Sequence, residues 1–145
     1  MMSDMGYEYT SPWHREIAED IRNGNLENLE KAYAAGWNVN EPIERFEPTE
    51  WFHYPLIYAI EYKVDSSIRW LIEHKAKLDI KNEHAFLYAV KHLEKEMIEY
   101  IIEKGAKIVV CNGSITAFDY LESGKRMHLV PYILSLGYPI EYATD

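Results

Sequence analysis

The chain has 145 residues, 48% of them hydrophobic and 27% charged, a composition that suits one globular domain with a sizeable core. Its net charge of −9 is uneven: residues 1–50 hold 11 Asp and Glu against 4 Lys and Arg. Such a surface opposes non-specific binding to nucleic acid or anionic membrane. The single Cys111 excludes an intramolecular disulfide and a cysteine-built zinc site. It points to a reducing, cytoplasmic setting. The N-terminus shows no basic region followed by an apolar run, and no stretch has the length of a membrane span.

In chain order, Ser11-Pro12 predicts a helix start, a cap followed by a first-turn proline. Gly36, Gly105 and Gly137 sit where helices end, as a left-handed C-terminal cap needs. From Glu41 to Tyr54 comes an acidic, aromatic segment in which Pro42 and Pro48 oppose a long helix. Four glutamates there, Glu41, Glu44, Glu47 and Glu50, surround Phe46, Trp51, Phe52 and Tyr54. Tyr and Trp are enriched among interface hot spots, and acids around them suit a basic partner. Either these rings meet a partner, or Phe46, Trp51 and Phe52 fold back to cover the first half of the chain.

Beyond this segment the sequence repeats. Leu56-Ile57-Tyr58-Ala59-Ile60 returns thirty residues later as Phe86-Leu87-Tyr88-Ala89-Val90. Leu71 to Leu78 returns, at the same interval, as Ile101 to Ile108. Apolar residues at helical spacing, such as Ile68, Leu71 and Ile72, or Met97, Ile98, Ile101 and Ile102, read as core. Thr116 with Asp119 predicts a capping-box variant, and Pro131 places the start of the last helix near His128 or Leu129. A fixed period of this size means stacked helical units, each too small to bury its own apolar face.

The pattern resembles the ankyrin repeat. The family's Thr-Pro-Leu-His-x-Ala opening is matched by Tyr54-Pro55-Leu56-Ile57-Tyr58-Ala59, and less closely by the segments from His84 and Thr116. The Leu-Leu-x-x-Gly-Ala close is matched from Leu71, Ile101 and Ile133, and Arg22 to Leu29 with Ala35 to Asn40 form a first copy. The resemblance implies an all-α, ankyrin-like repeat solenoid of four helix-turn-helix units, about 12–40, 54–80, 84–110 and 116–141, in a single domain. The motif histidine is replaced by Ile57, Leu87 and Asp119, the interhelix glycine survives only as Gly24, and turn lengths vary. Irregular turns are therefore expected.

The resemblance also implies where a partner would be met: on the concave face, through turn tips and positions late in each first helix. Those positions are Arg22 and Asn23, Glu61 and Tyr62, Lys91 and His92, and the less distinctive Ser123 and Gly124. The turn tips are Glu50, Trp51 and His53 in the second copy and Lys81 and Glu83 in the third. The candidate partner-binding set is Arg22, Glu50, Trp51, His53, Glu61, Tyr62, Lys91 and His92. The six histidines form no i, i+4 pair with a catalytic glutamate, and no phosphate loop or nucleophile elbow is present. No cofactor, metal or catalytic residue is expected. The function read from the chain is non-catalytic binding of a basic protein partner by a monomer, with no nucleic acid or membrane as primary partner. Small, acidic, stand-alone proteins of this type are similar to bacterial immunity proteins, so an inhibitor or toxin-neutralising role is the sharpest form of that reading. The alternatives are a structural or self-associating scaffold subunit and a metal-dependent enzyme.

Overall fold

The computed structural model describes the backbone of residues 8–9, 12–47, 51–81, 83–109, 111–112 and 115–137, and the side chains of 14–43, 53–81, 83–109 and 116–137. Contacts gather into two units, Met1–Lys77 and Leu78–Asp145. Each carries two helix pairs, and the described residues are mainly helical, as the repeat pattern predicts.

In the first unit, α1 (Pro12–Asn23) begins on the predicted proline. Gly24, at φ +66°, turns the chain into α2 (Leu26–Ala34). The Asn25 side chain caps α2 by accepting the N–H of Asn28 at 3.3 Å. The second pair is α3 (Pro55–Glu61), again with proline in its first turn, and α4 (Asp65–Glu73). Ile17, Ala18 and Ile21 of α1, Leu29 of α2, and Ile68 and Leu71 of α4 are all buried. Burying one such aliphatic side chain contributes about 1.5–3 kcal/mol, so this apolar interior is the main source of stability. Ser67, fully buried on α4, donates to the Ile21 carbonyl at 2.8 Å and satisfies an end group of α1.

The 41–54 segment is more regular than expected. It contains β2 (Ile43–Glu47) and β3 (Trp51–His53), paired antiparallel with Ile43 opposite His53. β1 (Glu8–Tyr9) adds to the other edge of β2, giving sheet order β1-β2-β3. The physical reason lies in the residues: each proline drives its predecessor into extended backbone, and Ile, Phe and Trp favour a pleated surface. Ile43 is buried, and Glu41 just before it holds His14 at 2.9 Å. Pro48 and Glu50 lie outside the described residues, as do the side chains of Phe46, Trp51 and Phe52.

In the second unit, β4 (Asp79–Ile80) and β5 (Glu83–His84) form a short hairpin leading into α5 (Ala85–His92) and α6 (Lys95–Glu103). A second hairpin, β6 (Cys111–Asn112) with β7 (Ile115–Thr116), leads into α7 (Ala117–Ser123). The predicted capping box forms there: Thr116 Oγ1 accepts the Asp119 N–H at 3.2 Å, and Asp119 accepts the Thr116 N–H at 2.8 Å. A 3-10 turn, Met127–Leu129, precedes α8 (Val130–Ser135), so Pro131 falls in a first turn. Phe86, Leu87, Ile98, Ile101, Leu121 and Ile133 fill this unit's interior. Strands pair across each turn between repeats, but the turns are unequal, as expected: β2 and β3 have five and three residues, and the strands of the two later hairpins have two each.

Lost glycines are replaced without loss of the turn. Gly36, Gly105 and Gly137 end their helices at positive φ, and Lys75 takes the same role at φ +76°. Lys63 and Lys125, at φ +62° and +58°, stand in the left-handed conformation that Gly24 adopts between helices. The α5–α6 joint differs: Leu93 is extended, and its carbonyl accepts from the buried Arg126 guanidinium. Arg126 Nη2 also reaches Glu94 at 3.0 Å.

Candidate functional site

Position late in a first helix does not make a residue solvent-facing, because each first helix packs along one side. In the first unit the structure brings together Arg22, Tyr58 and Tyr62. Arg22 Nη1 donates to the Tyr58 hydroxyl at 3.2 Å, and its guanidinium lies 5.7 Å from the Tyr62 ring centroid. Tyr58 on α3 and Tyr62, which caps its C-terminal end, have ring centroids 4.8 Å apart. Tyr58 is buried, whereas Tyr62 is 48% exposed. Cation–ring contact of this kind contributes about 0.5–1 kcal/mol at exposed sites and holds both groups in place.

Beside them, His53 Nε2 lies 3.5 Å from a Glu61 carboxylate oxygen, both residues half-buried. His53 ends β3 and Glu61 ends α3, so the pair joins the hairpin to the helix. Of the other hairpin candidates, Trp51 has its backbone opposite Arg45, and its side chain lies outside the described residues, as does all of Glu50.

In the second unit, Lys91 and His92 are half-buried at the end of α5. The Lys91 ammonium lies 5.9 Å from the Tyr120 ring, and Tyr88 and Tyr120 are 6.4 Å apart. Burial raises the Tyr120 hydroxyl above the usual tyrosine range. Lys81, at φ +53°, is the exposed tip of the β4–β5 hairpin, and Glu83 is half-buried in β5.

Gly124 has a function in packing. A Cβ added there would stand 2.6 Å from the Lys91 carbonyl oxygen, so only glycine lets these backbones approach. His84, at the motif's threonine position, makes a turn hydrogen bond: its Nδ1 lies 2.8 Å from Asp79 Oδ1.

Three site residues escaped the sequence reading. Tyr58, Tyr88 and Tyr120 occupy one position of three successive copies, and the first two recur at the thirty-residue period. That recurrence was the available signal. Tyrosine there supplies the ring on which the neighbouring Arg22 or Lys91 lies, directly or through its partner ring.

The electrostatics are mixed. Asp20 on α1 is raised above the usual carboxylate range by burial, with Glu16 and Glu19 adding repulsion and Asn28 opposing through a hydrogen bond. Among the described residues, no three His, Cys, Asp or Glu side chains gather as metal ligands would, and no helix is long and apolar enough to cross a membrane.

No curated protein matches the chain. A family model described as ankyrin repeats (3 copies) matches residues 18–112. The match runs from α1 to β6, and the α7–α8 pair continues the same pattern beyond it. The chain belongs to the ankyrin-repeat family.

Proposed function

We propose that this chain is a non-catalytic binding module for a basic protein, met by the first unit through Arg22, His53, Glu61, Tyr62 and the Glu50–Trp51 tip, and by the second through Lys91 and His92. Ankyrin repeats are generally protein–protein interaction modules. The observation that carries the reading further is the exposed Tyr62 ring, held between Tyr58 and Arg22 at the end of α3. A large ring already fixed by its neighbours loses little rotamer freedom on binding. Arg22 is held by a hydrogen bond to the Tyr58 hydroxyl and by its contact with the Tyr62 ring. The excess acid of residues 1–50 then supports attraction of a basic partner.

In this reading the chain is a single-domain monomer when unbound and acts in the cytoplasm by covering its partner, as an inhibitor of the immunity-protein kind. The support is size, charge asymmetry and a single cysteine.

The test is a tagged pull-down from the native source, eluted across a salt gradient and identified by mass spectrometry. A single stoichiometric basic protein released by salt, and toxic when expressed alone, supports the reading. A salt-insensitive complex with further copies of this chain contradicts it in favour of a scaffold subunit.

A further inference from the structure

Four rings and one carboxylate gather where α2 meets α4 in the first unit. Trp70 of α4 stacks on His74, which caps that helix, with ring centroids 3.8 Å apart and planes 18° apart. Trp37 lies parallel to Trp70 on its own side, and Tyr33 of α2 meets both Trp70 and His74 edge-on. Both tryptophans are buried, His74 is half-buried and Glu30 is exposed. Glu30 Oε2 accepts the Trp70 indole N–H at 2.8 Å, and His74 Nε2 lies 3.1 Å from that same oxygen. The other ring nitrogen, Nδ1, lies 2.8 Å from the Trp70 carbonyl oxygen.

Each ring nitrogen of His74 thus faces an oxygen that accepts. A carbonyl has no proton to give, and the Glu30 carboxylate already accepts from the indole. A neutral imidazole has one N–H and can satisfy one of these oxygens; an imidazolium satisfies both. Two further features favour the charged ring. It lies against the face of an indole, and it stands at the C-terminal end of a helix, where unpaired carbonyls favour a cation. The next repeat has the same arrangement with a permanent cation. Tyr100 and Lys104 occupy the positions of Trp70 and His74, thirty residues on, and the ammonium lies 5.5 Å from the ring centroid.

We propose that His74 is a proton-dependent clamp between the first two repeats. As an imidazolium it ties the end of α4 to Glu30 of α2; loss of a proton leaves a ring lone pair facing an oxygen and opens the tie. Glu30 and Tyr33 are titratable groups that face it from α2, and Glu73 and Lys75 flank it in the chain. The folded contacts favour the protonated ring, so its contribution to stability is present in acid and is lost as pH rises. The clamp needs no partner and stands apart from the binding positions.

The test is thermal unfolding of the full chain at about pH 5.5 and about pH 8.5, on either side of the usual histidine range. It compares the unchanged chain with Glu30→Gln, each also in a His74→Phe background. Gln keeps an oxygen for the Trp70 indole, and Phe keeps a ring to stack on it. Glu30→Gln should lower the midpoint by about 2–4 °C more at the lower pH than at the higher, and His74→Phe should abolish that difference. The charge removed is the same in both backgrounds, so its general effect on an acidic chain cancels. If His74→Phe does not fold, His74→Gln takes its place. An equal effect of Glu30→Gln at both pH values overturns the proposal, and so does a pH-dependent effect that survives without His74.

Discussion

The side-chain oxygen of Asn40 accepts the backbone N–H of Lys77 at 2.8 Å, which ties the end of the first repeat to the end of the second. The amide of Asn40 also donates to the Lys75 carbonyl at 3.2 Å. In the second unit Asp79 does the same for the next repeat, accepting the Lys107 N–H at 3.1 Å while holding His84 with its other oxygen. Asn40 and Asp79 are equivalent positions, as are Lys77 and Lys107, so in the first two repeats one short side chain satisfies the backbone of the following repeat, whereas the third has Val109 at that position.

Asn40→Ala should therefore destabilise by about 1–2 kcal/mol, since two backbone groups lose partners that only water can replace. Asp79→Ala should cost about the same or more, because His84 loses its carboxylate as well. Urea denaturation with an unchanged slope would check both. A loss near zero in each would show that water replaces these bonds without cost.

Lys75 occupies the left-handed region, at φ +76°, where the equivalent residues Gly36 and Gly105 stand. A side chain there costs about 1–2 kcal/mol, partly offset by the greater freedom of glycine in the unfolded chain. Lys75→Gly is expected to stabilise by about 0.5–1 kcal/mol, read as a raised thermal midpoint.

Glu94 is held below the usual carboxylate range first by the His128 hydrogen bond at 3.2 Å, with burial opposing and Arg126 assisting. A carboxyl whose folded pKa is depressed adds stability above its unfolded pKa, and that stability disappears as pH falls through the folded value. The contribution is small because Glu94 is exposed. Glu94→Gln should lower the midpoint at neutral pH and leave it unchanged in strong acid. Asp20 has the opposite sign. Burial raises it, so its ionised form disfavours the fold at neutral pH, and Asp20→Asn should raise the midpoint there and not in acid.

Tyr62→Ala should weaken partner binding by about tenfold or more, as for an aromatic hot spot, and leave the thermal midpoint little changed. Leu71→Ala and Ile101→Ala remove fully buried side chains and should cost about 2–5 kcal/mol each. Calorimetry of the free proteins beside a binding isotherm separates the two classes.

The repeat was legible because stacking needs the same apolar positions in each copy, as Leu56 and Phe86, or Leu71 and Ile101, display. The capping box at Thr116 and the helix start at Pro12 were legible because they act within a few residues. What escaped were contacts between distant positions. Arg126 filling the acceptor need of Leu93, or Arg22 lying against Tyr58, depends on packing that no local pattern encodes. The 41–54 hairpin was hidden by its prolines, which forbid a helix without announcing a strand. Lys63, Lys75 and Lys125 concealed their turns because lysine carries no sign of positive φ.

The most direct test of the account is hydrogen exchange on the full chain, alone and with the captured partner. Slowed exchange at residues 22–24, 51–53 and 60–64 is the predicted result, placing the partner over Arg22, Trp51, His53, Glu61 and Tyr62. Slowed exchange confined to α2 and α4, with those segments unchanged, would contradict it.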